Sequence, residues 1–129
     1  MLYDLNFIQN LPGPGETWKT PLVAYVAKSS THKHASFKEF LEKWFNKIPD
    51  EQKSSYYSRL RSLDDKIFIS QVNEFLVAEI CSRYGEVNFN PTLSNGQTPE
   101  LLWTINDSTG LLDVVTIFEP EETGQEGNQ

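Results

Sequence analysis

Four acidic side chains in the second half of the chain have types and spacing that suit metal-dependent hydrolysis. Glu74 and Glu79 fall in a helical pattern. Glu100 begins a short extended run, and Asp113 interrupts the apolar run Leu111–Val115. Hard cations such as Mg²⁺ prefer carboxylate oxygens, and they assist phosphodiester cleavage by activating water and neutralising charge. Two carboxylates on neighbouring strands, with a third from a packed helix, can share one ion. The spacing therefore predicts a magnesium site at Glu100 and Asp113, completed by a helix acid.

The helical segment offers two candidates for that third carboxylate. Apolar residues recur every four positions and predict an inward stripe, on a helix capped by Asp64 and ended by a left-handed Gly85. The stripe consists of Phe68, Val72, Leu76 and Ile80. At about 100° per residue, Glu79 lies near the middle of this stripe and Glu74 toward the opposite side. Periodicity thus favours Glu79. The sequence context and the distance to Gly85 favour Glu74, which we rank first, with Glu79 as the alternative.

Each acid also has an explanation that requires no chemistry. Most isolated acidic residues are solvated, so Glu74 can lie on an exposed helix face and Glu79 can be a hydrogen-bonded edge position. Glu100 can be an exposed residue at the start of a strand. Asp113 is disfavoured inside a strand, so it either faces solvent by ordinary alternation or is held there for a site. The residue types alone leave these alternatives open.

Short motifs around the acids resemble the PD-(D/E)xK nuclease superfamily, whose members have a restriction-endonuclease-like core. The similarity is to the front half of that core in uncharacterised bacterial proteins, and it covers roughly Asp64 to Phe118. It is carried by Arg59–Lys66, Asn73–Phe75, Arg83–Gly85, Pro91 and Thr98–Leu102. By position, the resemblance implies Glu74 as the helix acid, Glu100 as the aspartate of the Pro-Asp pair and Asp113 as the acid of the third motif. It also implies Mg²⁺ as cofactor and DNA as substrate.

The sequence departs from this family pattern at three places. Val115 stands where the family has its lysine, and Glu100 is longer than the usual aspartate. The core also continues in the family with a crossover helix and a parallel strand, which require a dozen or more residues. We therefore expect part of a longer chain, with metal-dependent DNA cleavage that is weak or absent in this domain alone. The alternative is a non-catalytic domain for protein interaction or regulation.

The elements that must position these residues follow from periodicity and turn signals, and they predict an α+β fold. N-terminal helices would pack on a small antiparallel three-stranded sheet, forming a partial restriction-endonuclease-like core. One domain is expected over residues 1–118, with an N-terminal segment (1–35), a helical part (36–85) and a β-meander (86–118), followed by an acidic disordered tail (119–129). The predicted elements are an extended Pro21–Ala27, a helix Phe37–Lys47 capped by Ser36, a helix ending near Ser62, and strands Val87–Asn90, Leu101–Ile105 and Leu111–Phe118.

Composition and charge indicate which partners and which cellular compartment to expect for such a domain. The 129 residues carry a net charge of −7, which gives no bulk attraction to nucleic acid, so a DNA partner needs a local site. The single Cys81 cannot form an internal disulfide, and no stretch has the pattern of a signal peptide or a membrane span. We expect a cytoplasmic protein with DNA or a protein as partner. The oligomeric state stays open, although an exposed edge strand would permit dimers.

Overall fold

In the residues that the structure describes, five α-helices, a short 3-10 helix (Asp50–Gln52) and one antiparallel sheet form an α+β fold, which confirms the predicted class. The computed structural model describes residues 1–12, 20–91, 93, 95–96 and 98–119. The segment Pro12-Gly13-Pro14-Gly15, whose composition predicts a turn, lies outside these residues after Pro12, as does the predicted acidic tail beyond Glu119. No helix in the described ranges is long and apolar enough to cross a bilayer. The elements are α1 (Leu5–Gln9), α2 (Leu22–Lys28), α3 (His32–Asn46), α4 (Lys53–Leu60), α5 (Asp65–Ser82), β1 (Glu86–Phe89), β2 (Leu101–Ile105) and β3 (Ser108–Leu112).

The segment predicted to be extended, Pro21–Ala27, is helical in α2, so that prediction was wrong. A short apolar run does not distinguish a strand from a buried helix by periodicity alone. Pro21 precedes the helix, where its missing N–H costs nothing. The Asp65 carboxylate accepts a hydrogen bond from the backbone N–H of Leu22 at 2.9 Å, which satisfies one free donor at the helix start.

Helix α3 begins earlier than the sequence indicated. Thr31, rather than Ser36, is the N-cap residue, and its hydroxyl accepts a hydrogen bond from the backbone N–H of His34. Ser36 lies within the second turn of the helix. The inward side chains Leu41 and Trp44 are buried, as the predicted apolar face required.

Helix α5 begins at its predicted cap, Asp64, but presents a different face to the core. Phe68 and Val72 of the predicted stripe are buried, but the side chains of Leu76 and Ile80 are 43% and 56% exposed, so the stripe was wrong for its second half. Steps of four residues overshoot a turn of 3.6 residues by about 40° each, which carries the stripe around the helix. The buried residues are Phe68, Gln71, Val72, Glu74, Phe75, Ala78 and Cys81. Glu74 therefore lies on the inward face.

Gly85 is required for a close backbone approach and is not a left-handed helix cap. Helix α5 ends at Ser82 with Arg83 as its C-cap, and the φ angle of Gly85 lies outside the left-handed region. A Cβ at Gly85 would lie 2.1 Å from the carbonyl oxygen of Thr104. The absence of a side chain therefore lets the chain leaving α5 pass directly against β2.

The three strands form two consecutive hairpins in the order β1-β2-β3, as predicted. Strand β2 has its predicted bounds, whereas β3 lies earlier than the expected Leu111–Phe118. Ile105 pairs with Ser108, so the connection is a two-residue turn, and Asn106 adopts a left-handed φ of 54° within it. Asparagine tolerates this conformation better than most residues, which allows β3 to start directly after the turn.

An aromatic cluster joins α3, α4 and α5 to the sheet. The rings of Tyr56 and Phe75 stack with centroids 6.0 Å apart, and Phe89 meets both rings edge-on. Trp44 also contacts Phe89, with the two rings edge to face and their centroids 5.9 Å apart. Such aromatic pairs add to the stability gained from burial, and here they also fix the Tyr56 ring beside Glu74.

Candidate functional site

A pocket of about 240 Å³ lies where α4 and α5 meet the end of the sheet. Its wall contains two of the acids that the sequence singled out, Glu74 and Glu100. The other lining residues are Arg59, Ser70, Gln71, Asn90 and Val114. Charged and amide groups from distant parts of the chain thus converge on one opening.

Glu100 is held at the end of the central strand by hydrogen bonds to both neighbouring segments. Its carbonyl oxygen accepts from the N–H of Asn90 at 2.8 Å, and its N–H donates to Asp113 Oδ1 at 3.0 Å. Its own Oε1 accepts from the N–H of Val114 at 2.5 Å. The carboxylate therefore has a fixed orientation. Its second oxygen accepts no hydrogen bond from any described residue.

Glu74 projects from α5 and is buried, with 6% of its surface exposed. The Tyr56 hydroxyl donates to Glu74 Oε2 at 2.8 Å and accepts from Asn90 Nδ2 at 2.6 Å. Asn90 also donates to Gln52 Oε1 and has a left-handed φ of 47° directly after β1. Asparagine tolerates this backbone conformation, and the side-chain hydrogen bonds of Asn90 hold it in place. This chain of hydrogen bonds fixes one oxygen of Glu74.

The two carboxylates interact across the pocket. Burial is the main cause that raises the pKa of Glu74, and the negative charge of Glu100 raises it further, against the opposing effect of the Tyr56 hydrogen bond. Burial, followed by the charge of Glu74, also raises the pKa of Tyr56 well above its ordinary value. Ionisation of Glu74 therefore costs more than ionisation of an exposed glutamate, although the positive charge of Arg59 offsets part of this cost.

Replacing Glu74 with glutamine is therefore expected to stabilise the protein near neutral pH when divalent ions are absent. The amide keeps an acceptor for Tyr56 and removes the buried charge, so the gain should be about 0.5–2 kcal/mol. The raised pKa of Glu74 means that its contribution favours folding below the unfolded-state pKa and is lost as the pH rises through the folded-state pKa. Urea unfolding in EDTA over a pH series should show this loss in the wild type and not in Glu74→Gln. Parallel pH profiles for the two proteins would contradict it.

Asp113 contacts Glu100 but does not line the same pocket. Its exposed side chain faces a neighbouring depression formed with Thr98, Pro99 and Leu111. Its hydrogen bond to the N–H of Glu100 continues the β2–β3 ladder, in which Leu101 pairs with Leu112. Within the described residues, no group of three histidine, cysteine or acidic side chains is arranged to hold a metal ion. The predicted role of Asp113 as a ligand stays a prediction.

Glu79, the alternative helix acid, lies away from the pocket. Its Oε1 accepts from Lys43 Nζ at 2.7 Å and from Trp44 Nε1 at 2.9 Å. The hydrogen bond from Lys43, then that from Trp44, lowers the pKa of Glu79. Glu79 thus joins α5 to α3, and Glu74 is the helix acid that faces Glu100.

Four residues of the site were not assigned a role from the sequence: Tyr56, Arg59, Gln71 and Asn90. Gln71 is three positions before Glu74, a spacing that places both side chains on one helix face, so this pair was open to prediction. The other three required the tertiary arrangement. Val115, at the expected lysine position, is 78% exposed and does not line the pocket.

No family model, curated protein or solved structure matches the chain.

Proposed function

We propose that this pocket is the divalent-cation site of a degenerate PD-(D/E)xK-like nuclease domain, which binds a phosphodiester of DNA and cleaves it weakly. The proposal rests on one observation: Glu74 and Glu100, which are 26 positions apart in the sequence, both line this pocket. Both residues were singled out for their places in the motifs. A chance resemblance would give no reason for them to face each other.

Two carboxylates suit Mg²⁺ or Mn²⁺, but they are too few for an ion that takes all of its ligands from the protein. Mg²⁺ commonly binds through one or two carboxylates and keeps its remaining positions for water and substrate phosphate. Glu74 and Glu100 supply two carboxylates whose orientations are fixed by Tyr56 and Val114. A bound cation would also offset the electrostatic cost of ionising buried Glu74 beside Glu100.

The chain's own residues would bind and orient the reacting groups. A divalent ion supplies charge neutralisation and an acidified water. Tyr56 holds Glu74 in place, and the guanidinium of Arg59 is the positive charge among the lining residues. The side chain of Val115 carries neither a charge nor a hydrogen-bond donor. It therefore cannot do what the lysine at this position does in the family. Weak cleavage is the expected consequence.

A second candidate is a non-catalytic domain of the same fold that serves protein interaction or regulation. The exposed Val115 favours it, because this side chain can neither position water nor stabilise a developing negative charge. The location of Asp113 outside the pocket also favours it. In this case the polar network would remain as a structural feature of the core.

Plasmid DNA cleavage with Mg²⁺ and with Mn²⁺ distinguishes the two candidates. The first predicts slow, metal-dependent nicking that falls at least about 100-fold in Glu100→Gln, because even outer-shell metal partners contribute 10–100-fold. Glu79→Gln, the same chemical change at a glutamate outside the pocket, should retain activity. Equal nicking by wild type and Glu100→Gln, or none by the wild type, would count against catalysis at this site.

A further inference from the structure

Gln71 places an unused hydrogen-bond donor in the wall of the pocket. Its side chain is buried, with 2% of the residue exposed, and its Nε2 has no hydrogen-bond partner. The orientation of the amide is set by Arg59, whose Nε donates to Gln71 Oε1 at 2.7 Å. A weak side-chain hydrogen bond from the Gln71 amide lowers the pKa of Glu74, so the amide lies beside that carboxylate. No acceptor lies in good hydrogen-bonding geometry with Nε2. A buried donor without a partner is costly.

Arg59 presents a second donor group to the same space. Its guanidinium lies 4.5 Å from the centroid of the Tyr56 ring, and its Nη1 donates to Ser55 Oγ at 3.0 Å. These contacts and the bond to Gln71 fix the plane of the guanidinium. Its Nη2 donates to no residue in the described ranges, and no described carboxylate lies within ion-pair distance of it. The positive charge of Arg59 lowers the pKa of Glu74 in the same pocket without forming an ion pair with that carboxylate.

From these two side chains we infer a subsite for a phosphoryl oxygen, formed by Arg59 and Gln71 beside the Glu74–Glu100 pair. An anionic oxygen accepts from a guanidinium and an amide together, and arginine's planar fork suits phosphate geometry. The pocket volume equals that of about eight water molecules, which is enough for a phosphate group with some solvent. The carboxylates of Glu74 and Glu100 suit a cation, whereas the donors of Arg59 and Gln71 suit an anionic oxygen, so the two halves of the pocket have different roles.

This inference deepens the proposed function and rests on it for the identity of the ligand. The cation would lie at Glu74 and Glu100, and the phosphoryl oxygen at Arg59 and Gln71. We therefore expect that substitutions can weaken phosphate binding without weakening cation binding. Arg59→Lys keeps the charge and removes the fork, and Gln71→Met keeps the shape and removes the donor.

The test measures binding of dimethyl phosphate and of inorganic phosphate, in Mg²⁺ and in EDTA, after a separate Mn²⁺ titration of each protein. Arg59→Lys and Gln71→Met should each weaken binding of the preferred phosphate probe at least about tenfold, with Mn²⁺ affinity unchanged. Arg61→Lys, a matched change in another arginine that stacks on aromatic rings outside the pocket, should bind like the wild type. The tighter of the two probes identifies a diester or a free phosphate as the source.

Nuclear magnetic resonance on the wild type keeps the test independent of variant folding. Either phosphate probe should shift the side-chain amide signals of Gln71 and the Nε–H signal of Arg59. Absence of both shifts, or equal phosphate affinity in all four proteins, would overturn the subsite. Mn²⁺ binding without phosphate binding rejects the subsite alone, whereas phosphate binding without Mn²⁺ binding rejects the cation site alone.

Discussion

Phe75→Ala is expected to lower the free energy of unfolding by about 3–5 kcal/mol, the range for removing a fully buried phenylalanine. Phe75 has no exposed surface and contacts the rings of Tyr56 and Phe89. Its loss would leave a cavity at the junction of α4, α5 and the sheet. Because Tyr56 stacks on Phe75, the hydrogen bond that holds Glu74 should also loosen. Chemical denaturation measures the energetic effect directly.

Leu76→Ala is the matched control, because Leu76 is the next residue on the same helix and is 43% exposed. Alanine has the higher helix propensity, so the net cost should be below about 1 kcal/mol. The four-residue apolar repeat predicted Leu76 to be inward, and the structure has Phe75 inward instead. A larger loss for Leu76→Ala than for Phe75→Ala would contradict the orientation of α5.

Gly85→Ala should lower the free energy of unfolding by about 1–3 kcal/mol, as expected for overpacking at a rigid contact. The added Cβ would lie 2.1 Å from the Thr104 carbonyl oxygen and 3.0 Å from the side chain of Ile105. A backbone oxygen in a paired strand cannot rotate away, so β1 or β2 must shift. Thermal unfolding and amide exchange in β2 would both report this shift.

Gly110→Ala provides the contrast within the same sheet. No atom lies within 4 Å of a Cβ built at Gly110, and its φ is outside the left-handed region. Alanine there reduces the freedom of the unfolded chain and should stabilise the protein by about 0.4–1 kcal/mol. Similar destabilisation by both substitutions would show that the close approach at Gly85 is not the cause.

The sequence predicted the fold where local signals were decisive. Asp64 caps α5 and β2 has its expected bounds, because both features depend on neighbouring residues. Pro21–Ala27 could not be assigned in this way, since an apolar run of seven residues suits either a strand or a short helix. The prediction of which face of α5 is buried also failed, because residues spaced strictly four apart do not stay on one face of an α-helix.

The candidate site was predictable only in part for a similar reason. Motif order selected Glu74 and Glu100, and the structure brings them into one pocket. Tyr56 and Asn90 could not be assigned, because their hydrogen bonds join residues 34 positions apart. For Gly85 the local signal was misleading. A glycine after a helix usually indicates a cap, but this glycine is needed for the close contact with Thr104, which depends on tertiary packing.

Calorimetric titration with Mn²⁺ at neutral pH tests the central claim most directly, namely that Glu74 and Glu100 form one cation site. The wild type and Glu79→Gln should each bind one ion, and Glu74→Gln and Glu100→Gln should each lose that binding while remaining folded by near-ultraviolet circular dichroism. Undiminished binding in both pocket variants, or no binding by the wild type, would contradict the claim.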